Sequence, residues 1–143
     1  MNREALKKQL IRHEGLRLMP YRDSVGKLTV GVGHNIEDKG ISESAAMFLL
    51  DEDIDSHTAE LDQFLPWWRE MDEVRQLVIV DMAFNLGVAP PLGKLLGFKN
   101  TLAAMQRGDY VAAAHGMGAS QWAVQIGNRA TRLIHMMETG KAA

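Results

Sequence analysis

Cysteine is absent from the 143-residue chain, which excludes disulfides and thiolate metal sites and fits a reducing compartment. Positive charge is not in excess either. With 16 Lys and Arg against 18 Asp and Glu, the formal net charge is -2, and no global basic field points to nucleic acid as a partner. No apolar run approaches the length of a membrane span, so stable membrane insertion is not expected. The opening "MNREALKKQLIRHEG" is too charged to supply the apolar stretch of a signal peptide, and synthesis in the cytoplasm is expected. Repeats and low-complexity stretches are missing. The five histidines, at 13, 34, 57, 115 and 135, lack metal-ligand spacing, so no metal is expected. What is present is 46% apolar and 24% charged, which is enough to build one compact domain around a core.

Residues 2–13 place Ala5, Leu6, Leu10 and Ile11 at helical spacing, and Gly15 is a stop just after Glu14. From residue 16 the period changes. Leu16, Leu18 and Tyr21 precede "DSVGK", and Leu28, Val30 and Val32 alternate beyond it, the pattern of a β-hairpin that turns at residues 23–26. "EDKG" at 37–40 reads as a loop. Ser42 caps a helix predicted to run to about Phe64. That helix carries Glu43, Asp51, Glu52, Asp53, Asp55, Glu60 and Asp62, with no Lys or Arg between Lys39 and Arg69. One-sign charge of this kind reads as a solvated face, and a long half-solvated helix suits a bridge between two lobes.

Pro66 fits the first turn of a following helix. "VRQLVIVDMAFNLG", residues 74–87, is apolar nearly all round and reads as a buried central helix, whose Asp81 needs a partner. Residues 99–107, about 109–115, and 128–138 read as three more helices, punctuated by Gly108, Gly127 and Gly140. The fold class expected is α+β, mostly α.

Glu14 stands at a helix end, Asp23 nine residues later on the hairpin, and Thr29 on the returning arm. A helix end facing a hairpin can aim all three into one cleft. Glycosidic hydrolysis needs one carboxyl that donates a proton to the leaving oxygen. It also needs a second, ionised carboxylate that activates water or stabilises positive charge on the sugar. A hydroxyl such as that of Thr29 can hold the water. The same residues also fit solvated charges on an ordinary hairpin. Gly-x-Gly in "TVGVGH" lacks the third glycine and the following helix of a dinucleotide-binding loop.

"HEGLRLMPYRDSVGKLTVGVGH", residues 13–34, resembles the phage-type lysozymes of the T4 family (glycoside hydrolase family 24). The matching positions are Glu14, Gly15, Tyr21, Asp23, Gly26, Thr29, Gly31, Gly33 and His34. "AFNLG" at 83–87, "GFKNTL" at 97–102 and "SQWAVQIGNRATRLI" at 120–134 extend the resemblance over most of the chain.

The resemblance implies Glu14 as general acid, Asp23 as second catalytic carboxylate and Thr29 as the hydroxyl that positions water. It implies substrate-binding roles for Asn85, Phe98 and Arg129, with Arg129 brought to Glu14. It gives structural support to His34, paired with Asp53, and to Trp122. The implied fold is a lysozyme-like domain over 1–143, with a small β-hairpin lobe at about 14–41 and a connecting helix at about 42–64. The larger helical lobe would comprise about 65–143 with the N-terminal helix 2–13, and the cleft would lie between the lobes. The implied reaction is hydrolysis of the β-1,4 bond between N-acetylmuramic acid and N-acetylglucosamine in bacterial peptidoglycan. No cofactor and no metal are implied.

A phage or prophage endolysin follows: a monomer held in the host cytoplasm until a separate holin releases it to the wall. Lytic transglycosylase or chitinase-like activity, and a non-catalytic wall-binding module on the same scaffold, are the rival readings. Two departures stand out. Residues 35–40 make a shorter loop than the best-known members have, and the chain is slightly acidic where many relatives are strongly basic.

Overall fold

The computed structural model describes residues 1–142. The chain divides into two compact units, Met1–Leu49 and Leu50–Ala143. The fold is α+β and mostly α, with one small antiparallel sheet, as the periodicities predict.

In the first unit, helix α1 (Arg3–Glu14) starts at Asn2, whose side chain accepts the Ala5 amide at 3.0 Å. It ends at Gly15, where a φ of 79° turns the chain out of the helix directly after Glu14. Strands β1 (Arg17–Arg22), β2 (Leu28–Gly31) and β3 (His34–Asn35) form a sheet in the order β1-β2-β3. Tyr21 pairs with Thr29 and Arg22 with Leu28, while Arg17 pairs with Gly31 across an irregularity. Pro20, which has no N–H to give a ladder, sits in that irregular stretch.

Two short elements occupy residues 34–39, and the second departs from the loop expected at 37–40. His34 and Asn35 form the third strand, opposite Val30 and Thr29. Residues 36–39 form a helical turn, α2 (Ile36–Lys39), because the Asn35 side chain accepts the Asp38 amide at 3.0 Å and Gly40 closes the far end. Helix α3 (Glu43–Phe64) follows from Ser42, whose hydroxyl accepts the Ala45 amide at 3.1 Å, and the boundary between the units falls within it.

The second unit continues with a 3₁₀ helix at Pro66–Glu70, α4 (Glu73–Leu86) and a 3₁₀ turn at Leu95–Gly97. Helices α5 (Lys99–Gln106), α6 (Tyr110–Gly118), α7 (Gln121–Ile126) and α8 (Asn128–Thr139) complete it. Helix α7 was not anticipated. It has six residues, and its local signals are its ends: the Ser120 hydroxyl accepts the Ala123 amide, and Gly127 closes it with its own amide on the Ala123 carbonyl. The core joins Leu61, Trp68, Ile79, Leu95, Leu133 and their neighbours, and Met82, Met105, Met117 and Met137 are fully buried within it. Methionine suits this place because its unbranched chain fills irregular gaps between helices.

Helix α4 is not buried all round. It buries Val78, Ile79, Met82 and Ala83 on one side. Leu77 and Phe84, one heptad apart on another side, stay 56% and 39% exposed, with Asp81 between them. Arg75, near its start, donates from Nε to the Met137 carbonyl at 2.7 Å and from Nη2 to the Glu138 carbonyl at 3.1 Å. Its guanidinium lies 3.8 Å from the centre of the Tyr110 ring. Among the described residues no helix is long and apolar enough to cross a membrane.

Candidate active site

Glu14 is the last residue of α1, and its side chain is exposed. Its carboxyl rests against the turn between β2 and β3. A methyl group placed on the Gly33 Cα would lie 2.9 Å from Glu14 Oε2 and 3.1 Å from Cδ. The helix end and the sheet therefore meet at this carboxyl. Among the described residues it accepts no hydrogen bond, so both oxygens are available to a ligand.

Asp23 opens the hairpin turn. Its Oδ1 accepts the Val25 amide at 3.0 Å and the Lys27 amide at 2.9 Å, and its own amide donates to the Lys27 carbonyl at 2.9 Å. Such a side-chain-to-backbone turn is a structural role an aspartate performs well. Here it fixes the direction of the carboxylate and leaves Oδ2 unbonded among the described residues.

Continuing the ladder past Arg22 and Leu28 sets Asp23 opposite Lys27, and Tyr21 opposite Thr29. Asp23 and Thr29 thus share one face of the hairpin as diagonal neighbours, about 7–8 Å apart by sheet geometry. Thr29 is the one buried residue of the first unit, and its hydroxyl donates to the Lys27 carbonyl at 2.9 Å. With its proton committed there, Oγ1 can present its lone pairs to another donor.

Helix α2 braces the turn. Glu37 accepts from Arg22 at 3.2 Å and from the Leu28 amide at 3.3 Å, and Lys27 Nζ lies 3.1 Å from Asp38 Oδ1. The hydrogen bond from Lys27 holds the Asp38 carboxyl below the usual carboxylate range, with help from Asn35, and Asp38 in turn raises the Lys27 ammonium above its ordinary value. His34, on β3, places Nε2 2.6 Å from the Gly40 carbonyl and ties the strand to the end of α2. Asp53, expected as its carboxylate partner, is an exposed residue of α3 in the second unit.

The second unit holds a groove of about 1140 Å³ that brings Asn85, Phe98 and Trp122 together. Trp122 is buried, donates from Nε1 to Asn85 Oδ1 at 2.8 Å, and meets the Phe98 ring edge-on at 6.0 Å between centroids. The Asn85 amide nitrogen donates no hydrogen bond among the described residues. Lys94, Lys99 and Gln125 also line it, and sequence reasoning assigned them nothing.

Arg129 does not line this groove. Its Nη2 and Nε bond Asp81 Oδ1 at 2.6 and 2.9 Å, in a half-exposed pair between α8 and α4. Asp81 was recognised as a carboxylate in need of a partner, and Arg129 as a functional cation. That they are each other's partner was missed, because 48 residues separate them.

A mostly helical chain with one small antiparallel sheet has the α+β, mostly α architecture of a lysozyme-like fold. The sequence matches the phage lysozyme family over residues 11–136, and the chain belongs to that family of peptidoglycan hydrolases. It is 28% identical over 165 aligned positions to "Probable T4-type lysozyme 1" of Dictyostelium discoideum, covering 95% of each protein. It is 29% identical over 142 positions to the "SAR-endolysin" of Escherichia phage Mu, covering 97% of this chain and 78% of that one. The "Pre-baseplate central spike protein Gp5" of Enterobacteria phage T4 is 28% identical over 168 positions, which span 95% of this chain and 28% of that longer protein.

Proposed function

We propose that the protein is a muramidase that hydrolyses the β-1,4 bond between N-acetylmuramic acid and N-acetylglucosamine. Glu14 is the general acid that protonates the leaving oxygen. Asp23 is the base that takes a proton from the attacking water, and Thr29 accepts that water's other hydrogen. The observation that carries the reading is the Glu14 carboxyl set against Gly33, on the same small sheet that bears Thr29 and leads to Asp23. A positioned acid contributes roughly 10²–10⁴-fold to such a reaction.

In the second unit, Asn85 offers its amide N–H to an acetamido carbonyl, and Phe98 gives the groove an apolar wall. Arg129, oriented by Asp81, donates to sugar oxygens. Trp122 supports Asn85 from below. The biological role we propose is host lysis by a phage or prophage endolysin acting as a monomer. The endolysin among its relatives supports the lysis role, and release to the wall by a separate holin is the route proposed with it.

A water held by Asp23 and Thr29 calls for an inverting reaction, in which the two carboxyls stand about 6.5–9.5 Å apart rather than the 5–5.5 Å of a nucleophilic retainer. The test is digestion of purified peptidoglycan, with mass spectrometry of the fragments and proton NMR of the first-formed reducing end. The expected product carries one added water and an α-anomeric end. Anhydro ends would make the enzyme a transglycosylase, and a β-anomer would make Asp23 a nucleophile.

A further inference from the structure

We propose that Gly33 is a positioning residue for Glu14, and that the side chain it lacks is the space in which the acid's carboxyl is held. This rests on the reading of Glu14 as the general acid. Gly33 has a φ of +62°, which alone favours glycine. Gly31, two residues earlier, has a φ of +72° and the same backbone demand, yet a Cβ built there meets no heavy atom within 4 Å. At Gly33 the built Cβ meets Glu14 Oε2 at 2.9 Å, Cδ at 3.1 Å and Cγ at 3.3 Å.

The two glycines of the "TVGVGH" turn are therefore not equivalent. One serves the backbone only, and the other serves the backbone and the carboxyl. The bare Gly33 Cα is one wall of the carboxyl's seat. Glu14 accepts no hydrogen bond among the described residues, and this wall bounds the space open to its carboxyl on the side of the sheet. A methyl group at 33 would push Oε2 out of that seat, while α1 and the sheet stayed otherwise as they are.

The pair supplies its own control. Gly31→Ala and Gly33→Ala both carry left-handed strain, and only the second crowds Glu14. On a soluble peptidoglycan fragment, Gly33→Ala is expected to lose at least about tenfold in kcat with KM nearly unchanged, since a misplacement of about 1 Å costs up to roughly 10²-fold. Gly31→Ala, compared at equal folded fraction, is expected to keep kcat within about threefold, having no contact with the acid. Equal losses in the two variants overturn the proposal.

A crystal structure of Gly33→Ala reads the contact without reference to activity. Glu14 is exposed and its side chain can swing aside, so the carboxyl should be displaced from the Gly33 Cα while α1 and the sheet keep their places. Both variants should lose Tm to a similar degree, through the left-handed strain they share. A Glu14 carboxyl that stays where it is in Gly33→Ala overturns the proposal. A folded Glu14→Gln protein with full activity instead removes the acid assignment and leaves the displacement standing.

Discussion

Met1–Leu49 buries Thr29 and nothing else, whereas Leu50–Ala143 buries a continuous apolar core from Leu61 to Met137. The first unit keeps its shape by polar bonds over short sequence distances. These include the Asn2 and Asn35 caps, the Asp23 turn, the brace of Glu37 and Asp38 on Arg22 and Lys27, and the His34 link to Gly40. The second unit keeps its shape by excluding water from helix faces. The difference separates two ways of holding a shape. Directed polar bonds fix the direction of individual side chains such as Asp23, whereas a shared apolar core fixes whole helices.

The largest effect that sharpens this contrast is chemical. Glu14→Gln should reduce wall lysis by about 10²–10⁴-fold and leave the thermal midpoint close to that of the native protein. Asp23→Asn should also lose most activity while keeping the hairpin, because an amide oxygen still accepts the Val25 and Lys27 amides. A large drop in Tm for either variant would show that the chemistry and the architecture of the first unit are not separable.

The next effect is energetic. Met82→Ala, in the middle of α4 with no exposed surface, should cost about 2–5 kcal/mol in urea denaturation through lost burial and the cavity it leaves. A cost well under that range would mean the helical core relaxes around the gap, and is looser than its burial suggests.

The smallest effect concerns acid. Asp62, in the second unit, is held below the usual carboxylate range first by Arg69 and then by the Trp68 indole N–H, as Asp38 in the first unit is by Lys27 and Asn35. A depressed carboxyl contributes stability above its unfolded pKa of about 4, and that contribution is lost as pH falls through the lower folded value. Lys27, with a raised pKa, contributes below its unfolded value and loses that contribution as pH rises through the raised one. Asp62→Asn and Asp38→Asn should each flatten the fall of stability below pH about 4. Denaturation midpoints that keep the native acid slope in both variants would remove these carboxylates from the account. Both pairs are exposed, so each effect should be modest and reduced by salt.

Most of the frame was legible in the chain. Ser42, Gly15 and residues 23–26 marked a helix start, a helix stop and a turn, because each acts through bonds to backbone only a few residues away. What escaped was short or distant. β3 has two residues and α2 four, too few to show a period, and α7 is six residues between the Ser120 and Gly127 caps. The exposed side of α4 was hidden because Leu77 and Phe84 look like core residues, and hydrophobicity alone does not say which side meets the interior. At the candidate site, residue types pointed to Glu14, Asp23 and Thr29. The seat on Gly33 and the Asp81–Arg129 pair depend on tertiary approach, which no local pattern encodes.

The grip of Arg75 on the carbonyls of Met137 and Glu138 joins residues 62 and 63 positions apart, and α8 supplies Ala130, Leu133 and Met137 to the core. In the small sheet no ladder pair is farther apart than Arg17 and Gly31. A ribosome delivers these parts in order. The hairpin can close as soon as its second arm has emerged, while the helical core lacks a wall until α8 is out of the exit tunnel. On the nascent chain the hairpin can pair early, yet with Thr29 as its one buried residue it should gain little protection by itself. Firm protease resistance should appear only once α8 has emerged, a sequence that proteolysis of stalled chains of increasing length would display. Local pairing would come early in translation, and lasting protection would come late.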